Sequence, residues 1–207
     1  MRVLEICCGT KSIGKVFGGE RGWSVVSIDI DPKFQPDILT DILTWDYKSA
    51  FNPGDFDVVW GSPPCRTFSS LRRSCVNQPR YAHITRETIL RDIEEEGLPV
   101  LRKVQEIIEY FQPKLWFIEN PYDGSMKDYI AEKPLLCAYC AYGYSYRKRT
   151  AIWTNSTTLT LLNCPHKGKK HQTRIGGKED RSSLLDRYSI PPDLVRAIAD
   201  DIEKNTI

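Results

Sequence analysis

Short apolar runs alternate along the chain with stretches in which apolar residues recur every three or four positions. Val3-Leu4-Glu5-Ile6-Cys7 predicts a buried strand, as do Ser24 to Ile30, Phe56 to Trp60 and Lys114 to Glu119. Ser12 is placed to cap a short helix through Ile13, Val16 and Phe17, closing at Gly18-Gly19. Thr85 to Phe111 is helical in character, with a break near Gly97-Leu98-Pro99; Leu101, Val104, Ile107, Ile108 and Phe111 share one face. Leu135 to Asn155 is strand-like and rich in Tyr and Thr, and Asn163 to Asp186 reads as a polar, irregular loop. Pro191-Pro192 opens a last helix with Leu194, Val195, Ile198 and Ile202 on one side. Strands alternating with helices predict an α/β fold: a Rossmann-like, doubly wound, mostly parallel sheet covered on both faces. No internal repeat or domain boundary is visible, and one domain over 1–207 is expected.

Composition narrows the class. The chain has 207 residues, 41% hydrophobic and 27% charged, as in ordinary globular proteins. No run of about 18 apolar residues is present, so no membrane span is expected. Met1 to Ile6 is too short and too soon acidic to read as a signal peptide. Seven cysteines, with Cys7 and Cys8 adjacent, point to an intracellular, reducing compartment rather than a secreted disulfide framework. The net charge is only +2, but the cations cluster. Arg66, Arg72, Arg73, Arg80, Arg86 and Arg91 face only Glu87 in one stretch. Residues 147–187 carry Arg147, Lys148, Arg149, Lys167, Lys169, Lys170, Arg174, Lys178, Arg181 and Arg187 against Glu179, Asp180 and Asp186. The two can form one positive face for a nucleic acid.

Candidate chemistry lies at the predicted strand ends. In a doubly wound sheet, ligands bind beyond the carboxyl ends of the strands. The first strand runs into Cys7-Cys8-Gly9-Thr10-Lys11-Ser12, which is not the dinucleotide fingerprint. Glu5 lies inside that strand, where a buried carboxylate must hold backbone N–H groups or a cationic ligand. Asp29 ends the second strand, placed for ribose hydroxyls, and Asp41 follows Ile38-Leu39, placed for an adenine amino group. Three acids without a phosphate cradle fit adenosine without phosphates, hence S-adenosylmethionine rather than NAD or ATP. Gly61-Ser62-Pro63-Pro64-Cys65-Arg66 places a cysteine at a strand exit, with prolines fixing the backbone before it. A guanidinium nearby, Arg66 or another, would favour its thiolate. Glu119-Asn120-Pro121 ends another apolar strand.

With Pro64-Cys65 and Glu119-Asn120-Pro121 in that order, the chain resembles the C5-cytosine DNA methyltransferase family. Leu4-Glu5-Ile6-Cys7-Cys8-Gly9 resembles the first cofactor motif of that family, Asp29-Ile30-Asp31 the second and Asp41-Ile42 the third. Arg147-Lys148-Arg149 matches the two arginines of Gln-x-Arg-x-Arg, and Ile190-Pro191-Pro192 resembles the closing motif. The resemblance implies the class I methyltransferase form of the fold, S-adenosylmethionine as cofactor and DNA as the partner. It implies Cys65 as nucleophile at cytosine C6, Glu119 as the protonated group at N3, and Arg147 or Arg149 near O2. Cofactor contacts are expected from Glu5, Ile6, Cys7, Cys8, Gly9, Thr10, Ser12, Asp29, Ile30, Asp41, Ile42, Ser62 and Pro63. Substrate contacts are expected from Pro64, Arg66, Ser69, Asn120 and Pro121.

Departures fall beside these motifs. Lys11 stands where the family's glycine-rich turn continues, and Arg66, Ser145 and Tyr188 replace residues usual in the family. The sizeable recognition domain of the family is reduced to about Thr154 to Arg187. RNA or a free cytosine nucleotide is therefore an alternative substrate, a catalytically silent nucleic-acid binder is another reading, and a partner protein can supply recognition. Cys137, Cys140, Cys164 and His166, with His171 near them, would be the ligands of a zinc ion. Their spacing is not a standard finger pattern, and no metal is expected.

Overall fold

A computed structural model of the chain describes residues 1–166, His171 and 183–206. Seven strands form one sheet: β1 (Arg2–Ile6), β2 (Ser24–Asp29), β3 (Ile38–Leu39), β4 (Val58–Gly61), β5 (Leu115–Pro121), β6 (Leu135–Ala138) and β7 (Arg149–Thr154). Their spatial order is β3-β2-β1-β4-β5-β7-β6. All pairings from β3 to β5 are parallel, while β7 runs antiparallel to both β5 and β6. The helices are α1 (Ser12–Phe17), α2 (Tyr47–Ala50), α3 (Ser70–Ser74), α4 (Arg86–Asp92), α5 (Leu98–Phe111), α6 (Leu184–Tyr188) and α7 (Pro192–Thr206). This is the expected doubly wound, Rossmann-like sheet.

The strands alternate between two apolar layers because successive side chains point to opposite faces. Leu4, Ile6, Val59 and Ile118 pack with Leu98, Leu101, Val104, Ile107 and Phe111 of α5. Val3, Val58, Trp60 and Phe117 pack on the other face with Ile13, Val16 and Phe17 of α1 and Leu194, Val195, Ile198 and Ile202 of α7. Cys137 belongs to this second layer and is fully buried.

The break expected near Gly97 is a π-turn rather than an end. Residues Ile93–Gly97 form a single widened turn, with the Leu98 amide donating to Ile93 O, and the helix continues into α5. Pro99, which has no N–H to give the ladder, follows directly on that widened turn. The widened turn brings Gly97 against the chain after β4. A Cβ there would lie 2.5 Å from Thr67 Oγ1 and 2.8 Å from Phe68 Cζ. Gly97 thus admits the segment that follows Cys65. No helix among the described residues is long and apolar enough to cross a membrane.

Candidate active site

The turn from β1 to α1 is held in an unusual backbone conformation. Cys7, Gly9 and Lys11 have φ of +55°, +47° and +54°. Lys11 occupies a left-handed position where glycine would be unstrained. Glu5 is 2% exposed, and its carboxylate accepts from Ile13 N at 3.1 Å and Gly14 N at 3.0 Å. Glu5 therefore does the capping expected of Ser12. The Ser12 hydroxyl instead accepts from Ile190 N at 3.0 Å, docking the closing motif against the turn. Thr10 Oγ1 lies 2.9 Å from the same oxygen. Burial pushes the Glu5 carboxyl up to about 7 against the pull of its two amides and Lys11.

Amide accounting decides what this turn can bind. Cys8 N donates to Ile28 O, Gly9 N to Asp29 Oδ2 and Lys11 N to Cys8 O. With Ile13 and Gly14 given to Glu5, a carboxylate stands where a dinucleotide site would place phosphate. The Cys8, Gly9, Lys11, Ile13 and Gly14 amides of this turn thus all donate to protein acceptors.

Asp29 closes the turn from β2, its second oxygen accepting from Asp31 N at 2.9 Å. Each of its oxygens keeps a lone pair for a further donor. Asp41 Oδ1 accepts from Leu43 N at 2.9 Å, and Ile42 beside it is buried. The charges of Asp29 and Asp41 both act on Cys7, so these three lie together. Ile30 is 65% exposed at the end of β2, an apolar side chain left open beside these acids. Burial pushes both the Cys7 and Cys8 thiols up, Cys8 to about 12, so neither is a thiolate near neutrality.

Cys65 sits past the end of β4, half-buried between buried Pro63 and exposed Pro64 on one side and exposed Arg66 on the other. Two ties hold its loop. Asn120 Nδ2, buried on β5, donates to Pro63 O at 2.8 Å. Ser125 N donates to Phe68 O at 2.9 Å. Ser62 holds the approach, its amide donating to Ile6 O and its hydroxyl accepting from Trp60 Nε1 at 2.9 Å. Asn120 Oδ1 is buried without a partner among the described residues. Ser69 caps α3, accepting from Leu71 N at 3.2 Å, and Pro121 ends β5 half-buried at the rim.

Cys65 and Glu119 feel each other and the same cation. Burial pushes the Cys65 thiol up, the Glu119 charge raises it further, and Lys148 lowers it. Burial also raises the Glu119 carboxyl, while Lys148 and a hydrogen bond from Tyr139 Oη to Oε1, at 3.1 Å, lower it. The Lys148 ammonium lies over the Tyr139 ring at 4.6 Å and donates to Arg187 O at 3.3 Å.

This corrects the expected source of positive charge. Arg66 is 77% exposed and pairs with Glu96 at 2.5 Å, so it does not offset the burial of Cys65. Arg147 is exposed, and its charge acts on Cys140 and His171 instead. Arg149 pairs with Asp123 at 3.0 Å and covers Tyr122 at 4.5 Å, at the rim beyond β5. In extended chain, residues 147 and 149 point one way and 148 the other. That alternation was the signal for Lys148; Tyr139 carried none beyond its place in a Tyr-rich strand.

The expected positive face is also modified. Arg66 and Arg72 are matched by Glu96 and Asp92 from the acidic turn. Arg80 and Arg86 remain exposed. Lys167, Lys169, Lys170, Arg174, Lys178 and Arg181 lie outside the described residues. The zinc candidates divide as well: Cys137 is a core residue, while Cys140, Cys164, His166 and His171 come together. Two cavities, of about 610 Å³ against Val76 to Glu87 and about 380 Å³ beside Glu5, lie off the cleft. Neither is lined by Cys65, Glu119, Asp29 or Asp41.

No protein-family model matches the chain. A protein of Frog virus 3 (isolate Goorha) named "Probable DNA (cytosine-5)-methyltransferase" is 37% identical over 218 residues, covering 97% of this chain and 99% of that one. Among solved structures, the chain aligns with a SAM dependent methyltransferase from Archaeoglobus fulgidus at TM-score 0.36 and 17% identity, over 58% of this chain and 44% of that one. It aligns with the trans-methyltransferase CalH in complex with SAH at TM-score 0.34 and 20% identity, over 62% and 34%. The chain spans less than half the length of either structure.

Proposed function

The chain belongs to the DNA (cytosine-5)-methyltransferase family, and from that premise we propose that it methylates cytosine C5 in DNA through a covalent bond between Cys65 and C6. The observation that carries this reading is the tie of the Cys65 loop to β5: Asn120 donates to Pro63 O, and Glu119 beside it is buried and hydrogen-bonded to Tyr139, whose ring lies under the Lys148 ammonium. S-adenosylmethionine fits the β1–α1 turn, whose Gly9, Ile13 and Gly14 amides are given to carboxylates of the protein and whose acids suit a sulfonium nucleoside. Asp29 would take the ribose hydroxyls, Asp41 the adenine amino group and Ile30 the face of the ring. When bound, this cofactor supplies an electrophilic methyl group.

The protein's own residues account for the rest. Cys65 thiolate adds to C6, and the ring electrons move to C5 as an enamine. Glu119 in protonated form donates to N3, passing its proton there as negative charge develops and taking it back when the C6–S bond breaks. C5 accepts the methyl group, a base removes the C5 proton, and the C6–S bond breaks to return Cys65 thiolate. Lys148 favours that thiolate against its burial. Asn120 fixes the nucleophile's loop through Pro63. A duplex cytosine must be flipped out of the stack to reach Cys65. The region from Thr154 to Arg187 would make the remaining DNA contacts, largely to phosphates.

The test supplies labelled S-adenosylmethionine with duplex DNA, single-stranded DNA, transfer RNA or dCMP, with Cys65→Ser as control. Label in DNA that Cys65→Ser abolishes is expected. DNA carrying 5-fluorocytosine should trap a covalent complex, because fluorine at C5 leaves no proton to remove. Label confined to RNA or dCMP overturns the substrate. Methyl transfer to DNA without trapping, or with Cys65→Ser, overturns the covalent route.

A further inference from the structure

Outside the active site, one cluster has the donor set and geometry of a metal centre. Cys140 lies in the single turn Tyr139–Tyr142 that follows β6. The chain beyond β7 returns to this turn: Ala138 N donates to Leu162 O at 3.2 Å, and Leu162 N donates to Tyr142 Oη at 2.7 Å. Two residues later, Cys164 faces Cys140. Cys164 Sγ is 3.1 Å from His171 Nε2 and 3.8 Å from His166 Nδ1. One ligand atom from each of Cys140, Cys164, His166 and His171 lies within 4.8 Å of all the others. Tetrahedral zinc, with bonds of about 2.0–2.3 Å, sets its ligands roughly 3.3–3.8 Å apart. Small rotations of side chains that are half-buried or exposed would close the difference.

We infer that Cys140, Cys164, His166 and His171 bind one structural zinc ion that pins the chain beyond β7 to the end of β6. Two thiolates and two imidazoles select a borderline-soft cation over calcium or magnesium, and the two thiolates neutralise its charge. Four protein ligands leave no position for substrate, so the site is structural. Its place gives it a purpose. His166 and His171 flank Lys167, Lys169 and Lys170, within the chain's second basic stretch. A metal there would anchor the start of a recognition region too short to build a core of its own. Cys137, two residues after the start of β6, is excluded because it faces the second apolar layer.

The test measures metal in the full-length protein, purified under reducing conditions without chelator. Expected is about one zinc per chain, removed by a strong chelator and restored by zinc alone. Cobalt(II) in its place should give tetrahedral bands together with thiolate charge-transfer absorption. Cys164→Ser and His171→Ala should reduce bound zinc to near zero, while Cys75→Ser keeps it. The wild-type measurements stand even where a ligand variant folds poorly. Wild-type protein that carries no zinc and takes up none from excess overturns the inference. So does an octahedral cobalt spectrum without thiolate absorption, or a Cys140–Cys164 disulfide in the protein from reducing cells.

Discussion

Replacing Gly97 with alanine should damage catalysis more than folding. The backbone there has φ −73° and ψ −52°, which alanine adopts freely, so the effect is steric. The new methyl would sit 2.5 Å from Thr67 Oγ1, 2.8 Å from Phe68 Cζ and 3.0 Å from Phe68 Cε2. Neither neighbour is a loose end: both side chains are buried, and Phe68 O is tied to Ser125. Overpacking of this kind costs about 1–3 kcal/mol. The better helix propensity of alanine offsets about 1 kcal/mol of it. The net loss of about 0–2 kcal/mol corresponds to a fall in Tm of roughly 0–8 °C for a chain of this size. The relief has to come from the segment carrying Thr67 and Phe68, and Cys65 moves with it. A shift approaching 1 Å at a nucleophile costs on the order of 100-fold in rate. Single-turnover methyl transfer, measured well below Tm with the folded fraction taken from circular dichroism, reads the two effects separately. Gly22→Ala is the control: it stands at φ +69° in open space, so it loses stability without touching the site. Activity of Gly97→Ala within twofold of wild type, or a loss no greater than that of Gly22→Ala at equal stability, would refute the packing argument.

Lys148→Ala removes the cation that lowers both Cys65 and Glu119, so both groups titrate higher. The pH–rate profile should move to higher pH, with Lys148→Arg restoring most of its position; an unmoved profile would show that Lys148 does not face the pair. Glu5 titrates near 7 folded against 4.5 ordinarily, so its stabilising contribution is full below 4.5 and is lost as pH rises through 7. Between those limits, stability relative to Glu5→Gln should fall by about 3 kcal/mol, read from denaturant titrations at each pH; a pH-independent difference sinks the assignment. Lys11→Gly should raise stability by about 1 kcal/mol by relieving the left-handed strain, less whatever the Asp37 ion pair at 3.9 Å contributes. A melting temperature that falls would show that the ion pair outweighs the backbone.

Much of this architecture was legible because it depends on local alternation. The strands β1, β2, β4 and β5 are short apolar runs, with Glu5 inside β1, Asp29 ending β2, Cys65 past the end of β4 and Glu119 near the end of β5. The parts that were not legible depend on contacts between distant segments. Glu5 was open between holding backbone N–H groups and holding a cationic ligand; its oxygens cap α1, a choice fixed only when β1 and α1 close on each other. Arg66 looked like the partner of Cys65 because it is adjacent in sequence, yet Glu96 draws it away across the fold.

Lys148 was passed over for its arginine neighbours for the same reason. The chain entering β7 presents alternate residues to opposite sides, and which side faces Cys65 is decided by how β7 pairs with β5. Thr150 lies opposite Pro121 and Ile152 opposite Glu119 in that register. A shift of one residue would have turned the other set of side chains inward. The antiparallel register of a single strand thus selects an ammonium over a guanidinium beside Cys65. An ammonium is a compact charge on a flexible stem, whereas a guanidinium is a rigid fork suited to bidentate contacts. The site therefore combines electrostatic support for the Cys65 thiolate from Lys148 with Arg149 at the rim, held by Asp123 and Tyr122, where a nucleic acid backbone would pass.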